Sequence, residues 1–353
     1  MKTITNTFKK AIVLCLGITT MTLNAQTTHI VNNNAGTDAN FTDLQAAIDA
    51  AASGDIIHVQ QSSTTYGNIT IDKALTIIGR SHSDASYSSQ VGSINLVEGC
   101  SNTTIKGLLT GTITEPFVSG ASHIVENIVL QDNRIAAITN LGVYGTFNNM
   151  LIQGNVFNGN ISIGQKTSNI LITNNLINGN FISFSMVDTL LFTNNVISYF
   201  NGASFSNNTP DLLNISNCIF IVDRPSNLNV TLSSSSGTMQ VTNCITYNYS
   251  SSNNYTFATG ANINLSNVQE NVDPLFTLRD GGPGTIGTSS FNPTLDDLTL
   301  QAGSPVVDDG LYQGYNFKTL GTPIGVPSIK IDTYSPTVPK NGDLNVTITA
   351  KTN

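Results

Sequence analysis

The chain has 353 residues with 14 basic and 22 acidic side chains, and 10% of its residues are charged, well below the roughly 25% of an average soluble domain. Isoleucine, valine, leucine and phenylalanine recur at regular intervals among Asn, Ser, Thr and Gly, which excludes a disordered chain. Beyond residue 25 the 11 cations are scattered singly, which excludes a nucleic-acid partner because a phosphate backbone needs a basic stripe.

Residues 1–25 predict a secretory signal peptide, in which three lysines precede an apolar core at 11–18 and a cleavage site at 23–25. Neither that core nor any later segment reaches the roughly 20 apolar residues of a membrane-spanning helix. Removing the leader leaves 11 basic against 22 acidic residues, a net charge of −11. We therefore expect an exported protein without a membrane span, located outside the cell, at its surface or in the periplasm.

One convincing helix follows the first strand-like residues of the mature chain. Phe41, Leu44, Ile48 and Ala51 fall on one face of a helical pattern. Thr42 and Gln45 have the spacing of a capping box, and Gly54 can end the helix. Such a helix is suited to cover the open end of a stack of strands, which otherwise exposes core and unpaired backbone.

Short strands follow at 56–59, 69–71 and 75–79, and here the chain resembles a known fold. The run FTDLQAAIDAAASGDIIHVQ, followed by TYGNITIDKALTIIGRS, resembles the N-terminal cap and first coil of secreted bacterial right-handed parallel β-helix proteins of the pectin-lyase-like superfamily. The resemblance covers some 40 residues. It implies a fold that carries many functions, so it says little about chemistry.

A repeat of about 20 residues runs through the middle of the chain, where ILITNNLI is followed by LLFTNNVI. The apolar residue before each corner recurs every 20 to 28 residues, which suits a turn of three short strands and three corners. Nine such turns at about 4.8 Å each would form a rod roughly 40 Å long. These marker residues are Ile77, Ile105, Leu130, Ile152, Ile172, Phe192, Ile215, Val241 and Leu265.

The turns share the chemistry of one corner, three residues after the marker. We expect the asparagines there to form an internal ladder, bonding to the bend and to each other, since Asn tolerates the left-handed conformation of tight bends. The next corner repeats as Asn-Gly-Asn. After it, Ile161 alternates with Ile163, and Phe181 less regularly with Phe184, and we expect these residues to contribute to the core. The ladder positions are Asn133, Asn155, Asn175, Asn195, Cys218 and Cys244.

Cys218 and Cys244 occupy one register in successive turns and should be stacked neighbours. Either a disulfide or two reduced buried thiols fits that placement, and reduced thiols are the plainer interpretation. With Cys100, the mature chain has an odd number of cysteines, so no disulfide framework is implied.

The register is clear through Leu265. The segments at 273–276 and 298–310 resemble the closing segment of secreted β-helix proteins, which implies a C-terminal cap. Alternation at 329–331 and 344–350 predicts a two-strand appendage. The predicted organisation is a signal peptide at 1–25, a parallel β-helix with caps at 26–326 and a β-strand extension at 327–353.

Candidate catalytic groups are sparse. Lyases on this fold need a base, commonly beside calcium, and glycosidases need two carboxylates about 5 to 10 Å apart. Neither pattern is visible, and the four histidines are dispersed. The best catalytic candidates are Asp132 and Arg134, because Arg134 stands where later turns carry Val, Leu or Ile. The alternative is an outward arginine that pairs with Asp132, a contact of little energetic value.

Two further groups are candidate binding residues. Tyr247, Tyr249 and Tyr255 cluster late in the stack, where exposed rings would form a sugar-stacking platform and buried rings would fill the core. The densest carboxylates could hold calcium with backbone carbonyls, although their spacing also suits solvated loop acids. These acids are Asp296, Asp297, Asp308 and Asp309. We otherwise expect no cofactor.

The sequence thus predicts an all-β chain, a right-handed parallel β-helix of about nine turns with a helical N-terminal cap and a small C-terminal β extension. The leading functional hypothesis is a non-catalytic exported protein that binds a polysaccharide or a cell-surface protein. The alternative is a carbohydrate-active enzyme, a polysaccharide lyase or glycoside hydrolase acting on acidic polysaccharide. The net charge of −11 opposes that alternative, because it repels an anionic substrate.

Overall fold

The structure is a computed structural model. It describes residues 26–37, 39–80, 88–120, 122–164, 166–178, 181–184, 190–198, 204–207, 212–222, 224–234, 237–250, 253–258, 260–278, 297–305, 327–334 and 346–352. The segment predicted as a signal peptide lies outside these residues.

The described residues form one short helix and many short strands. In chain order the elements are β1 (Thr28–Val31), α1 (Leu44–Ala50), β2 (Ile56–Val59), β3 (Ile69–Ile71), β4 (Thr76–Gly79), β5 (Gln90–Val91), β6 (Ile94–Leu96), β7 (Thr104–Lys106), β8 (Leu109–Thr114), β9 (Ile124–Glu126), β10 (Val129–Gln131), β11 (Arg134–Leu141), β12 (Thr146–Gln153), β13 (Val156–Phe157), β14 (Ile161–Ile163), β15 (Thr167–Thr173), β16 (Leu176–Ile177), β17 (Phe181–Phe184), β18 (Leu190–Thr193), β19 (Val196–Ser198), β20 (Ser204–Asn207), β21 (Leu213–Ser216), β22 (Ile219–Val222), β23 (Leu228–Ser234), β24 (Met239–Thr242), β25 (Ile245–Asn248), β26 (Tyr255–Phe257), β27 (Ile263–Ser266), β28 (Phe276–Leu278), β29 (Asp297–Leu300), β30 (Pro327–Tyr334) and β31 (Val346–Thr352).

The strands stack as a parallel β-solenoid, which confirms the predicted fold class. The first sheet runs β1-β2-β4-β7-β10-β12-β15-β18-β21-β24-β27. A second sheet contains two rows of strands, β13-β16-β19-β22-β25 and β14-β17-β20-β23-β26, which are joined through the long β11. Each regular turn therefore contributes three short strands, one to the first sheet and one to each row of the second.

The predicted period is correct in register. Ile77 pairs with Ile105, Ile105 pairs with Leu130, and the ladder continues without a slip to Val241 and Leu265. The nine markers define eight intervals, so the turn count is close to the predicted nine. Because side chains alternate between faces, a slip of one residue anywhere in this ladder would expose its core row.

The asparagine ladder is present inside the first corner. Asn133, Asn155, Asn175 and Asn195 are fully buried, and the Nδ2 of each donates to the Oδ1 of the next at 3.1, 3.0 and 3.0 Å. Each accepting Oδ1 also receives the backbone N–H of the preceding ladder residue. Nδ2 further donates to the marker carbonyl one turn earlier, as from Asn175 to Ile152 at 2.9 Å. The buried amides are thus paired.

Two cysteines extend the ladder where the asparagines stop. The Cys218 sulfur lies 3.2 Å from the Ser216 carbonyl and 3.7 Å from that of Phe192. The Cys244 sulfur lies 3.3 Å from the Thr242 carbonyl and 3.9 Å from that of Ile215. The Phe192 and Ile215 carbonyls belong to the marker one turn earlier, the position that each ladder asparagine also contacts. Both thiols are free and buried, as is Cys100. Burial raises the pKa of the Cys218 thiol, and that of Cys100 to about 12, so these thiols are protonated and unreactive.

The left-handed residue of this corner lies one position earlier than predicted. The ladder asparagines do not have positive φ, whereas the residue before each of them does, and Gly154 takes the same position with φ 68°. The left-handed residue makes the bend, so the ladder residue that follows can point its amide inward. The non-glycine residues concerned, with φ of 51° to 58°, are Asp132, Asn174, Asn194, Asn217 and Asn243.

The third strand row also differs from the prediction in one turn. Ile161 pairs in register with Ile182, and Ile163 pairs with Phe184. Ile182 is fully buried and continues the core row that the sequence assigned to Phe181. The corner before β17 is one residue longer than the corner before β14, which moves the core position from Phe181 to Ile182.

Helix α1 covers the N-terminal end of the solenoid, as predicted, but its cap differs. Asp43 is the N-cap, and its side chain accepts the N–H of Ala46 at 2.7 Å. The predicted capping box of Thr42 and Gln45 is wrong, because Gln45 reaches outside the helix to strand β3. The N–H of Thr70 donates to Gln45 Oε1 at 2.8 Å and Gln45 Nε2 donates to the Thr70 carbonyl at 3.2 Å.

A buried carboxylate ties the first strand to this cap. The Asp55 side chain accepts the N–H groups of Thr27 and Ala52 and lies 2.9 Å from His29 Nε2. Burial alone would raise the pKa of Asp55, but the hydrogen bonds from His29, Thr27 and Ala52 hold it below its ordinary value.

A second, smaller apolar cluster lies outside the solenoid. It consists of outward residues of the row β13-β16-β19-β22-β25, together with Phe276 of β28 and Leu298 of β29. The antiparallel pair β28–β29, predicted as a terminal cap, thus packs against an outer face. Strands β30 and β31 form the predicted two-strand appendage, and they pair antiparallel. The outward residues are Val156, Leu176, Val196, Ile219, Ile221 and Ile245.

Replacing a ladder residue should destabilise the fold. Asn175→Ala removes the amide that pairs with Asn155, Asn195 and the Ile152 carbonyl, and unsatisfied buried groups cost about 1 to 3 kcal/mol each. We expect a loss of about 3 kcal/mol in urea unfolding followed by circular dichroism. The exposed Asn158→Ala is the control and should change stability by less than about 0.5 kcal/mol. Equal losses in both variants would contradict a stabilising ladder.

Acid should remove the contribution of Asp55. Its pKa is lower in the folded chain, so its contribution is complete above the unfolded value of about 3.9 and is lost as pH falls through the folded value. We expect Asp55→Asn to cost about 2 kcal/mol at neutral pH and much less in strong acid, measured by urea unfolding at several pH values. The exposed Asp72→Asn is the control; a pH-independent Asp55→Asn effect would exclude this linkage.

Candidate functional site

The two candidate catalytic residues do not pair with each other. The carboxylate of Asp132 lies 3.7 Å from the Lys106 ammonium, and burial raises the pKa of Asp132 while Lys106 opposes the rise. Arg134 begins β11 in register with Val156, the outward position that the sequence assigns to it. Burial lowers the pKa of its guanidinium, and its Nε has no hydrogen-bond partner in the structure.

The tyrosine cluster is mostly used in packing. Tyr255 is buried and therefore presents no ring face to solvent. The rings of Tyr247 and Tyr249 meet edge to face with centroids 4.7 Å apart, and both pack against the outer apolar cluster with Val272. These three residues do not form a joint platform.

The carboxylates proposed for calcium lie mostly outside the described residues. Asp296, Asp308 and Asp309 are not described, and Asp297 is described only as the first backbone position of β29. Within the part of the chain that the structure describes, no three His, Cys, Asp or Glu side chains are grouped to hold a metal ion.

A buried carboxylate organises a lateral loop that the sequence did not single out. Glu115 follows β8 directly, and its side chain is fully buried. One carboxylate oxygen accepts the N–H groups of Val143 and Tyr144, both at 3.2 Å, and the other accepts the N–H of Gly145 in a short hydrogen bond. These residues connect β11 to β12. Three converging N–H donors compensate the burial of a carboxylate.

His123 completes this arrangement. Its Nε2 lies 3.1 Å from Glu115 Oε1, and its carbonyl accepts the N–H of Thr146 at 2.9 Å. The imidazole lies directly over Gly145, where an added Cβ would stand 2.2 Å from Nε2. Gly145 is therefore required by a close approach of a side chain to the backbone.

Above this buried pair lies an exposed aromatic surface. Phe117 is 72% exposed, and its ring meets that of Tyr144 edge to face with centroids 5.2 Å apart. Val118, Ile124 and Val143 are also exposed and adjoin the Glu115 contacts in the chain. We call Phe117, Val118, Ile124, Val143 and Tyr144 the lateral platform.

The loop beneath the platform is held from a second side. Lys166 Nζ donates to the Tyr144 carbonyl at 2.6 Å, and the Lys166 N–H donates to the Gly142 carbonyl at 2.9 Å. Gly142 has φ 74°, which lets the chain leave β11 sharply. The platform therefore rests on backbone that is fixed by neighbouring turns before any ligand binds.

The arrangement is suited to binding more than to acid–base catalysis. Glu115 is enclosed and already accepts three N–H groups, so it has no lone pair directed at a substrate in solvent. A glycosidase would need two carboxylates that face one cleft, and the described residues around the platform include no second buried acid. A preformed apolar surface, by contrast, can bind a ligand without the entropy cost of ordering a loop.

Sequence reasoning missed this site because its parts are distant in the chain. Glu115 and Gly145 are 30 residues apart, about one turn of the solenoid. Glu115, Phe117 and His123 match no spacing motif. The sequence carried only an indirect indication of the site. Phe117 is an aromatic residue in an otherwise polar corner, one turn before the two glycines at 142 and 145.

Neutralising the buried carboxylate should loosen the loop. Glu115→Gln replaces one acceptor oxygen with an N–H₂ group that faces backbone donors, so we expect hydrogen exchange of the Val143, Tyr144 and Gly145 amides to accelerate at least tenfold. The exposed Glu126→Gln is the matched control. Unchanged protection of these three amides in Glu115→Gln would show that the carboxylate does not hold the loop.

Comparisons with known proteins add little on function. No family model matches the chain, and no curated protein matches it. The crystal structure of a pectin methylesterase from Aspergillus niger is similar at 13% identity and a TM-score of 0.24, over 76% of this chain and 88% of that one. No helix among the described residues has the length and apolar character needed to cross a bilayer.

Proposed function

We propose that the protein is an exported, non-catalytic β-solenoid that binds a glycan on the lateral platform. The observation that carries the proposal is the exposure of Phe117, 72% of whose surface is open, in edge contact with Tyr144. Folding gains little from so exposed a ring, whereas a sugar ring can cover an aromatic face with its C–H groups. Export rests on the predicted signal peptide.

The size of the platform favours a glycan over a protein partner. It contains five apolar side chains, whereas a stable protein interface engages roughly 20 to 30 residues on each side. A short oligosaccharide matches the smaller surface. Because three backbone N–H groups bind the enclosed Glu115 carboxylate, the platform adds little electrostatic repulsion to that of the negatively charged chain.

The hypothesis of a lyase or hydrolase has less support. Asp132 is engaged by Lys106 and Glu115 is enclosed by backbone donors. Arg134 alone cannot remove a proton in neutral solution, because an arginine is a base only when its guanidinium is deprotonated. The described residues thus supply binding surfaces more readily than an acid–base pair.

Truncating the platform should weaken glycan binding. We expect Phe117→Ala and Tyr144→Ala each to lower affinity at least about tenfold, which corresponds to about 1.4 kcal/mol, in a glycan array followed by calorimetry on the best ligand. Leu212→Ala is the control, since Leu212 is exposed but lies apart from the platform. It should bind as the unmodified protein does.

A parallel assay should follow the release of unsaturated uronides and reducing ends. We expect binding without turnover. Product formation would reject the non-catalytic proposal, and binding that is unaffected by either platform variant would reject the site.

A further inference from the structure

The strand edges at the N-terminal end of the solenoid are covered. The edge of β1 bonds to Phe41, whose N–H donates to the Ile30 carbonyl and whose carbonyl accepts the N–H of Asn32. Strand β3 is covered by the Gln45 side chain, which bonds both the N–H and the carbonyl of Thr70. Such covering prevents edge-to-edge pairing with another chain.

Two of the three strand rows are covered at the C-terminal end as well. Gln269 pairs with Ile245 beside β25. On β26, the N–H of Tyr255 donates to Asn271 Oδ1 and the N–H of Phe257 donates to Glu270 Oε1, both at 2.7 Å. These side chains occupy the positions that another strand would take.

The third row, in the first sheet, ends on an open edge. Strand β27 pairs only with β24 among the described strands. Its core-facing residues Ile263 and Leu265 are half-exposed, whereas Met239 and Val241, one turn earlier, are fully buried. The four residues of β27 include no charge and no proline, which are the usual protections of a free edge.

Hydrogen-bond direction identifies the free groups. The N–H of Met239 donates to the Asn262 carbonyl at 2.8 Å, and Met239 is in register with Ile263. Backbone groups alternate sides along a strand, so Asn264 bonds back to β24. Ile263 and Leu265 therefore direct their N–H and carbonyl groups to the open edge.

We infer that two copies of the chain pair through β27, antiparallel, about a two-fold axis at Asn264. In this register Ile263 of one copy lies opposite Leu265 of the other, and the two exchange both backbone hydrogen bonds. Asn264 lies opposite its own equivalent in a non-hydrogen-bonded pair, as antiparallel alternation requires. The two apolar core rows then join, and the half-exposed Ile263 and Leu265 become buried.

The partner is a second copy because the edge is complementary to itself. The same two residues supply donors and acceptors on both sides of the axis, and both apolar side chains face inward. Within the solenoid, β27 is the open edge at one end, and α1, Phe41 and the Gln45 side chain cover the other end, so pairing through β27 stops at a dimer. The net charge of −11 on each mature chain opposes approach, so salt should strengthen the dimer.

The first test measures mass by light scattering after gel filtration of the purified protein. We expect a dimer whose fraction rises with salt. Leu265→Pro removes one N–H that points to the open edge and no bond to β24, so it should give a monomer with the same circular dichroism. A monomer from the unmodified chain at its highest soluble concentration, or a dimer that persists in Leu265→Pro, would overturn the inference.

Cross-linking decides the matter independently of the proline variant. Asn264→Cys places two thiols opposite each other in a non-hydrogen-bonded pair, where a disulfide can form. Gln240→Cys lies in the same outward row one strand earlier, about 14 Å from its equivalent, and is the control. We expect a disulfide-linked dimer from Asn264→Cys alone; no cross-link, or equal cross-linking by both variants, would refute the pairing.

Discussion

The solenoid depends on hydrogen bonding between side-chain amides inside its first corner. A tight bend leaves backbone groups turned into the core, where each unpaired group is costly. The ladder of Asn133 to Asn195 satisfies these groups and links each turn to the next. Because each amide needs an amide one turn away, the corners hold the turns in one register, and the apolar rows stay aligned.

The ladder also shows which part of its chemistry is essential. Cys218 and Cys244 retain the contact with the marker carbonyl but cannot accept the backbone N–H as strongly as an amide oxygen does. The solenoid tolerates this exchange in its last turns, where the outer cluster with Phe276 and Leu298 packs against the second-sheet strands.

Departures from the repeat are where surfaces for partners arise. The regular turns have outward Asn, Ser and Thr, whereas the corner after β8 carries Glu115 and Phe117. A carboxylate buried under three backbone donors fixes the loop at 143–145, and the fixed loop holds Tyr144 against Phe117. The open edge of β27 is a second departure, because the polar side chains that cover β3 and β26 have no described counterpart there.

The sequence by itself determined the parallel solenoid, its period, the nine markers and the ladder positions, because these repeat at fixed spacing and each is read from local chemistry. It misplaced details that depend on how turns meet, such as the cap of α1, the left-handed residue at Asp132 and the shift from Phe181 to Ile182. Only the tertiary structure brought Glu115 to His123 and Gly145, and Asp132 to Lys106. The contacts to Gly145 and Lys106 join residues about one turn apart, so the stacking of turns decides them, and the spacing of Glu115 and His123 matches no motif.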